Sequence, residues 1–296
     1  MMGDNIEADL RTIHRDDVTT RFLAGSQIEV VGGFTPRRPP THVLFDFDGT
    51  LSLIREGWPE VMVPMMVDHL RRTGSDESAE ELRQMCKTFI ADLTGKQTVY
   101  QMIRLAEEIR ARRGNPLEPN AYKREYHELL MRRIEDRREK LRSGSVAAER
   151  WLVPGSRALL DELQRRGAQL YLASGTDEVY VREEVELLGL NEYFGERVFG
   201  AQEDVNAFSK AQVIERMLTD NQLEGASLLG FGDGYVEIQN VRDAGGTAVA
   251  VASDEAGRSG EPDAWKRSRL IAAGAHAVVP DFAESARLVQ WLWGEQ

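Results

Sequence analysis

The sequence predicts an α/β protein: a parallel-sheet core with helices on both faces, interrupted after its first strand by an all-helical domain. Three observations carry this. From residue 151 onward, short apolar runs alternate with amphipathic stretches, the texture of a buried parallel sheet. Residues 54–150 hold helical stripes and no strand pattern. One isolated strand pattern, HVLFDFD at 42–48, precedes them, so the core begins before the helices and resumes after them.

Residues 1–40 are polar and end in FTPRRPP. The prolines at 36, 39 and 40 remove amide donors and favour extended backbone, so this segment reads as an arm or linker of no evident role. The run from His42 is apolar until its last residues and meets Gly-Thr, the pattern of a buried strand ending in a turn. Val61, Met65, Met66 and Leu70 mark the first helix of the insert. Leu82, Cys86, Phe89 and Ile90 mark the second, Val99, Met102, Ala106 and Ile109 the third, and Tyr122, Tyr126, Leu130 and Ile134 the fourth. Four such helices make a small bundle. After WLVPGS, helix and strand alternate: SRALLDELQRRG, AQLYLAS, EVYVREEVELLG, RVFGA, SKAQVIERMLTD, SLLGFGD, VEIQNVRDAG, TAVAVA, WKRSRLIAAG, AHAVVPD and a last helix through Trp293. The expected division is an arm at 1–40, a core at 41–53 and 151–296, and a helical domain at 54–150.

Composition narrows the function. The 296 residues are 42% hydrophobic and 29% charged, with a net charge of -12, which disfavours non-specific nucleic-acid binding. The helical insert holds 19 Lys and Arg against 17 Asp and Glu, so the acidity lies in the core. The run REYHELLMRRIEDRREKLR at 124–142 reads as a solvated helix face laced with opposite charges. The single cysteine, Cys86, falls on an apolar stripe and reads as a small core residue; with no basic, apolar leader, the chain reads as cytosolic. Nowhere do eighteen apolar residues follow one another, so no membrane span is expected. Nothing in the sequence fixes an oligomeric state.

In open parallel sheets ligands collect beyond the carboxyl ends of the strands. Here those ends carry Asp46 and Asp48, then Ser174, then Asp233 with Glu237 four residues later. Lys210, at the start of a helix, can reach the same place. Carboxylates gathered at one point repel unless a cation joins them, and hard oxygen ligands of this kind suit Mg²⁺.

Together these residues resemble the four signatures of the haloacid dehalogenase superfamily: DFDGTL at 46–51, ASGT at 173–176, SK at 209–210 and GDGYVE at 232–237. The resemblance spans residues 42–281. It implies a Rossmann-like core, Mg²⁺ dependence and an aspartyl-phosphate intermediate. The insert resembles the helical cap of the phosphoglycolate phosphatase and β-phosphoglucomutase branch. By the same resemblance Asp46 is the nucleophile and Asp48 the general acid and base. Ser174 and the Gly175 amide hold phosphate oxygens, and Lys210 neutralises charge on the nucleophile and the transferring group. Asp233 binds the metal with Asp46 and the backbone carbonyl of Asp48, and Glu237 makes an outer-shell or water-mediated contact.

The implied activity is hydrolysis of a small phosphate monoester, a phosphosugar or similar metabolite, because a closing cap excludes bulky substrates. A phosphosugar mutase using the same aspartates is the alternative, and a non-catalytic binding module a weaker one. A calcium loop fails at Leu51 and Gly57, where glycine and glutamate are needed. GFGDG at 230–234 lacks the third glycine of a dinucleotide fingerprint, since Tyr235 stands there. Asp48, at the second position after the nucleophile, favours proton transfer to an alkoxide over phosphonatase or dehalogenase chemistry. The cap loop Thr94–Thr98, with Lys96 and Gln97, is expected to contact the substrate's non-phosphate end, with Arg55 and Trp58 as further specificity residues; Trp58 reads first as a core residue, with stacking on a sugar the alternative.

Overall fold

The computed structural model describes residues 8–13 and 18–295. A sheet of eight strands forms the core: β1 (Thr20–Phe22), β2 (Glu29–Val31), β3 (His42–Phe45), β4 (Gln169–Asp177), β5 (Val198–Ala201), β6 (Leu228–Gly232), β7 (Thr247–Val251) and β8 (Ala277–Val279). Their order is β1-β2-β8-β7-β6-β3-β4-β5. Strands β3 to β8 run parallel, while β1 and β2 add an antiparallel edge. Strand β3 lies between β4 and β6, where the chain order reverses, the position at which α/β sheets open a ligand crevice. Val43, Leu44 and Phe45 are buried, as both faces of the sheet are covered.

Helices α1 (Pro59–Arg71), α2 (Ala79–Asp92), α3 (Thr98–Ala111) and α4 (Pro119–Arg142) form the cap, at the four apolar stripes of the sequence. Pro59 and Pro119 open α1 and α4, where the missing amide has no helical partner to lose. Ser78 and Glu81 close a reciprocal capping box at the start of α2. Cys86 is buried on the stripe, and burial pushes its thiol up to about 12. The core helices are α5 (Ser156–Arg165), α6 (Glu178–Leu187), α7 (Asn191–Phe194), α8 (Lys210–Asp220), α9 (Tyr235–Asp243), α10 (Ala264–Ala273) and α11 (Ser285–Leu292). No helix among the described residues is long and apolar enough to cross a membrane.

Two features differ from the sequence expectation. Within the expected arm, β1 and β2 extend the sheet and cover the edge of β8. Three-residue strands give no apolar run to read, and the Glu29 carboxylate is buried because Arg267 Nε donates to it at 2.6 Å. The charged face of α4 is also only partly solvated. Lys123 pairs with Asp177 and Arg138 with Glu183, and His127 stacks on Tyr180 at 3.6 Å, so α4 seals the cap against α6.

Candidate active site

Parallel register sets the site. Phe45 of β3 stands level with Leu172 of β4 and Phe231 of β6, so the residues that follow these strands emerge side by side. The Asp46 amide continues the ladder, donating to the Phe231 carbonyl at 2.9 Å. The chain then turns at Gly49, whose φ of +74° is left-handed and whose absent Cβ would lie 2.2 Å from Asp233 Oδ2. Only glycine lets this turn press against that carboxylate.

Ser209 caps α8, accepting a hydrogen bond from the Gln212 amide at 3.1 Å, and so fixes Lys210 at the first helical position. The buried Lys210 ammonium sits 2.9 Å from Asp46 Oδ1 and 2.8 Å from Glu237 Oε2. Burial alone would lower the lysine's pKa; Asp46 and Glu237 more than offset it and hold it above its ordinary value. Burial also drives the Asp46 carboxyl well above the usual range, against the pull of Lys210. Glu237 Oε1 accepts the Gly234 amide at 2.5 Å, so both its oxygens are engaged inside the protein.

Asp46, Asp233 and Glu237 bring one oxygen each within 4.8 Å of one another. An all-carboxylate set of this kind fits a hard divalent cation. Lys266 braces its outer side: Nζ lies 2.8 Å from Asp233 Oδ2, 2.6 Å from Glu255 Oε1 and 3.1 Å from Ser253 Oγ. Ser253 in turn donates to the Gly49 carbonyl at 2.6 Å.

Asp48 accepts the Thr176 hydroxyl at 2.9 Å through Oδ2, while its buried Oδ1 has no hydrogen-bond partner. Burial raises this carboxyl to about 6, with the Glu184 charge adding and Arg55 opposing. Arg55 Nε lies 3.7 Å from Oδ1, and the guanidinium is gripped by Glu184 of α6 at 2.8 and 3.0 Å. Both partners of that pair are buried.

Asp46, Asp48, Arg55, Thr176, Lys210, Asp233 and Glu255 face a cavity of about 100 Å³ under the cap. Ser174 and Gly175 border it from β4, and Trp58, Met62, Thr94, Thr98, Gln101 and Tyr126 roof it. The loop Thr94–Thr98 is laid directly on the core: a Cβ at Gly175 would stand 2.7 Å from the Lys96 carbonyl oxygen, and one at Gly234 would stand 2.6 Å from Gly95 Cα. The structure therefore brings Asp46, Asp48, Ser174, Gly175, Lys210, Asp233, Arg55, Trp58 and Lys96 to one cavity. Gln97 is set apart. Its amide donates to the Phe208 carbonyl at 2.9 Å and more distantly to that of Val205, fastening the loop to the core instead of lining the cavity. Lys96 borders the cavity, but its ammonium pairs with Asp9 at 2.6 Å.

Sequence reasoning missed Thr176, Glu184, Glu255 and Lys266. Thr176 lies inside the ASGT signature at 173–176, where its hydroxyl is a sequence signal beside that of Ser174. Glu184 is one of several acids on its helix, and only packing selects it. Lys266 carries a local signal, since Asp263 caps α10 by accepting the Lys266 amide at 2.7 Å, yet nothing local ties it to Asp233.

Comparisons with known proteins agree with this architecture. The family model for haloacid dehalogenase-like hydrolases matches residues 40–245. Among solved structures, a β-phosphoglucomutase from Clostridium difficile superposes with a TM-score of 0.57 at 13% identity, covering 86% of this chain and 97% of its own. A predicted phosphoglycolate phosphatase from Haemophilus somnus gives 0.55 at 15% identity, covering 85% and 98%. CbbY from Rhodobacter sphaeroides, solved in complex with phosphate, gives 0.52 at 21% identity, covering 83% and 96%. At these identities the likeness is one of fold. No curated protein matches the chain. With the family model spanning more than half of its length and the four signatures converging on one cavity, the chain belongs to the haloacid dehalogenase-like hydrolases.

Proposed function

We propose that the protein is a cytosolic, Mg²⁺-dependent phosphatase of small phosphate monoesters, working through a phosphorylated Asp46. The observation that carries this reading is a pair of carboxylates with unlike partners in one cavity under the cap. Burial raises both carboxyls, Asp48 to about 6, and their partners differ: Asp46 lies 2.9 Å from the Lys210 ammonium, which favours its ionised form, whereas Asp48 accepts the Thr176 hydroxyl at 2.9 Å. Two acids with different surroundings suit two roles. Asp46 attacks phosphorus while Asp48 gives its proton to the departing alkoxide; Asp48 then takes a proton from the water that cleaves the acyl phosphate. Ser174 and the Gly175 amide hold the phosphoryl oxygens, and Lys210 neutralises charge as it develops.

Asp46, Asp233 and the Asp48 carbonyl would hold Mg²⁺, with Glu237 behind them fixing Lys210. Bound there, the ion would supply charge neutralisation for the phosphoryl group. A cap already seated on Gly175 and Gly234 leaves space for a short leaving group. The test is phosphate release from a broad panel of phosphate esters, with Mg²⁺ and then with EDTA. The expected result is metal-dependent release with multiple turnovers. Transfer of phosphate to a sugar with little release would mark a mutase instead, and no turnover on any ester would remove the reading.

A further inference from the structure

Among the described residues, the cations that line the cavity, Arg55, Lys96 and Lys210, and Lys266 behind it are all paired with resident carboxylates, and this bears on what the substrate carries at its other end. Lys210 lies between Asp46 and Glu237, and Lys266 between Asp233 and Glu255. Arg55 is gripped by Glu184 and faces Asp48. Lys96, with its side chain 1% exposed, is paired with Asp9. Among the described residues these four cations meet seven carboxylates. With Asp48 protonated for the first step, six of these carboxylates are charged; a bound divalent ion would bring them level with the four cations, and the phosphoryl group would then add negative charge of its own. The roof offers hydroxyl, amide and apolar groups: Thr94, Thr98, Gln101, Trp58, Met62 and Tyr126.

From this charge pattern we propose that the enzyme takes esters whose non-phosphate end is small and uncharged, a hydroxylated carbon chain, and rejects those bearing a carboxylate or a second phosphate. The inference rests on the phosphatase reading and deepens it. Among the described residues an incoming second anion meets no unpaired cation lining the cavity and must displace a resident acid from a buried partner, which is strongly unfavourable. Asp9 is the resident acid most easily moved. Its side chain is 82% exposed, and it belongs to the segment before the family match, which is tacked to α9 where the Arg11 amide donates to Gln239 Oε1 at 2.6 Å.

The test uses glycerol phosphate and phosphoglycerate, matched three-carbon esters that differ in a terminal hydroxymethyl group against a carboxylate. Each is measured as a substrate and as a competitor of p-nitrophenyl phosphate turnover at saturating Mg²⁺. Glycerol phosphate should be favoured roughly 10-fold or more in kcat/KM, or in competition constant if neither turns over, the scale of one poorly compensated charge. Asp9→Asn, which releases Lys96, should narrow that gap by improving phosphoglycerate, and Lys96→Met in the same background should restore it. Equal or better use of phosphoglycerate, or an unchanged gap in Asp9→Asn, would overturn the inference while leaving the phosphatase reading standing. Failure of every ester, p-nitrophenyl phosphate included, would remove both.

Discussion

Arg55 and Glu184 are 129 residues apart in the chain and form a buried, two-pronged ion pair at 2.8 and 3.0 Å. Arg55 sits on the connection into the cap and Glu184 on core helix α6, so the pair fixes the entry to the cap beside Asp48.

Glu184→Gln should therefore change the chemistry as well as the fold. The Glu184 charge helps raise the Asp48 carboxyl, and without it Arg55 is drawn to Asp48 and favours its ionised form. The Asp48 value should fall below about 6, moving the limb of the pH–rate profile that reports the protonated acid to lower pH. A stability loss of roughly 3 kcal/mol should accompany it, since one partner of a buried pair is left behind. Denaturant titration and a pH series on the same variant check both parts.

Asp48→Asn should lower turnover most for poor leaving groups, so an alkyl phosphate suffers more than p-nitrophenyl phosphate. The same variant should be more stable than the parent at neutral pH. Because the folded-state value is raised from 3.8 to about 6, protonated Asp48 contributes fully below the unfolded value, and its contribution is lost as pH rises through about 6. The amide carries no such penalty. The gain should be about 1 to 2 kcal/mol near pH 7.5, allowing for solvent in the cavity, and should vanish near pH 4.

Gly49→Ala tests how closely the first turn approaches Asp233, a proposed metal ligand. A left-handed alanine costs roughly 1 kcal/mol, and its methyl group would occupy the place of Asp233 Oδ2. Mg²⁺ binding measured by calorimetry should weaken at least as much as stability falls, with activity recovering only at raised metal concentration.

Gln97→Ala tests the cap contact. Its amide holds the Phe208 carbonyl, so the loss should be about 1 kcal/mol of closure. It should reduce kcat/KM for an alkyl ester and for p-nitrophenyl phosphate by the same factor. A selective loss for the alkyl ester would return Gln97 to the role of substrate contact.

The core of the site was legible because strand ends in a parallel sheet are a place the sequence can be made to point to. Asp46, Asp48, Ser174 and Asp233 each close an apolar run, and Ser209 marks a helix start that carries Lys210. The partners of those residues were not legible. Glu184 shares its helix with Glu178, Glu183 and Glu186, and only the packing of α6 against Arg55 singles it out. The Thr94–Thr98 loop could be read as a recognition loop, but the direction of Gln97 depends on the Phe208 carbonyl, more than a hundred residues away. Strands β1 and β2 escaped because each spans three residues and β2 joins the sheet through a long-range pairing with β8, with β1 added on β2.

The central claim is that Asp46 carries the phosphoryl group. Quenching the enzyme in steady-state turnover, reducing with borohydride and mapping peptides by mass tests it directly, because an aspartyl phosphate is reduced to homoserine whereas a free carboxylate is not. The account predicts conversion at Asp46 alone, dependent on substrate and Mg²⁺, and neither conversion nor turnover in Asp46→Asn. Continued turnover by Asp46→Asn, or conversion at a different aspartate, would contradict it.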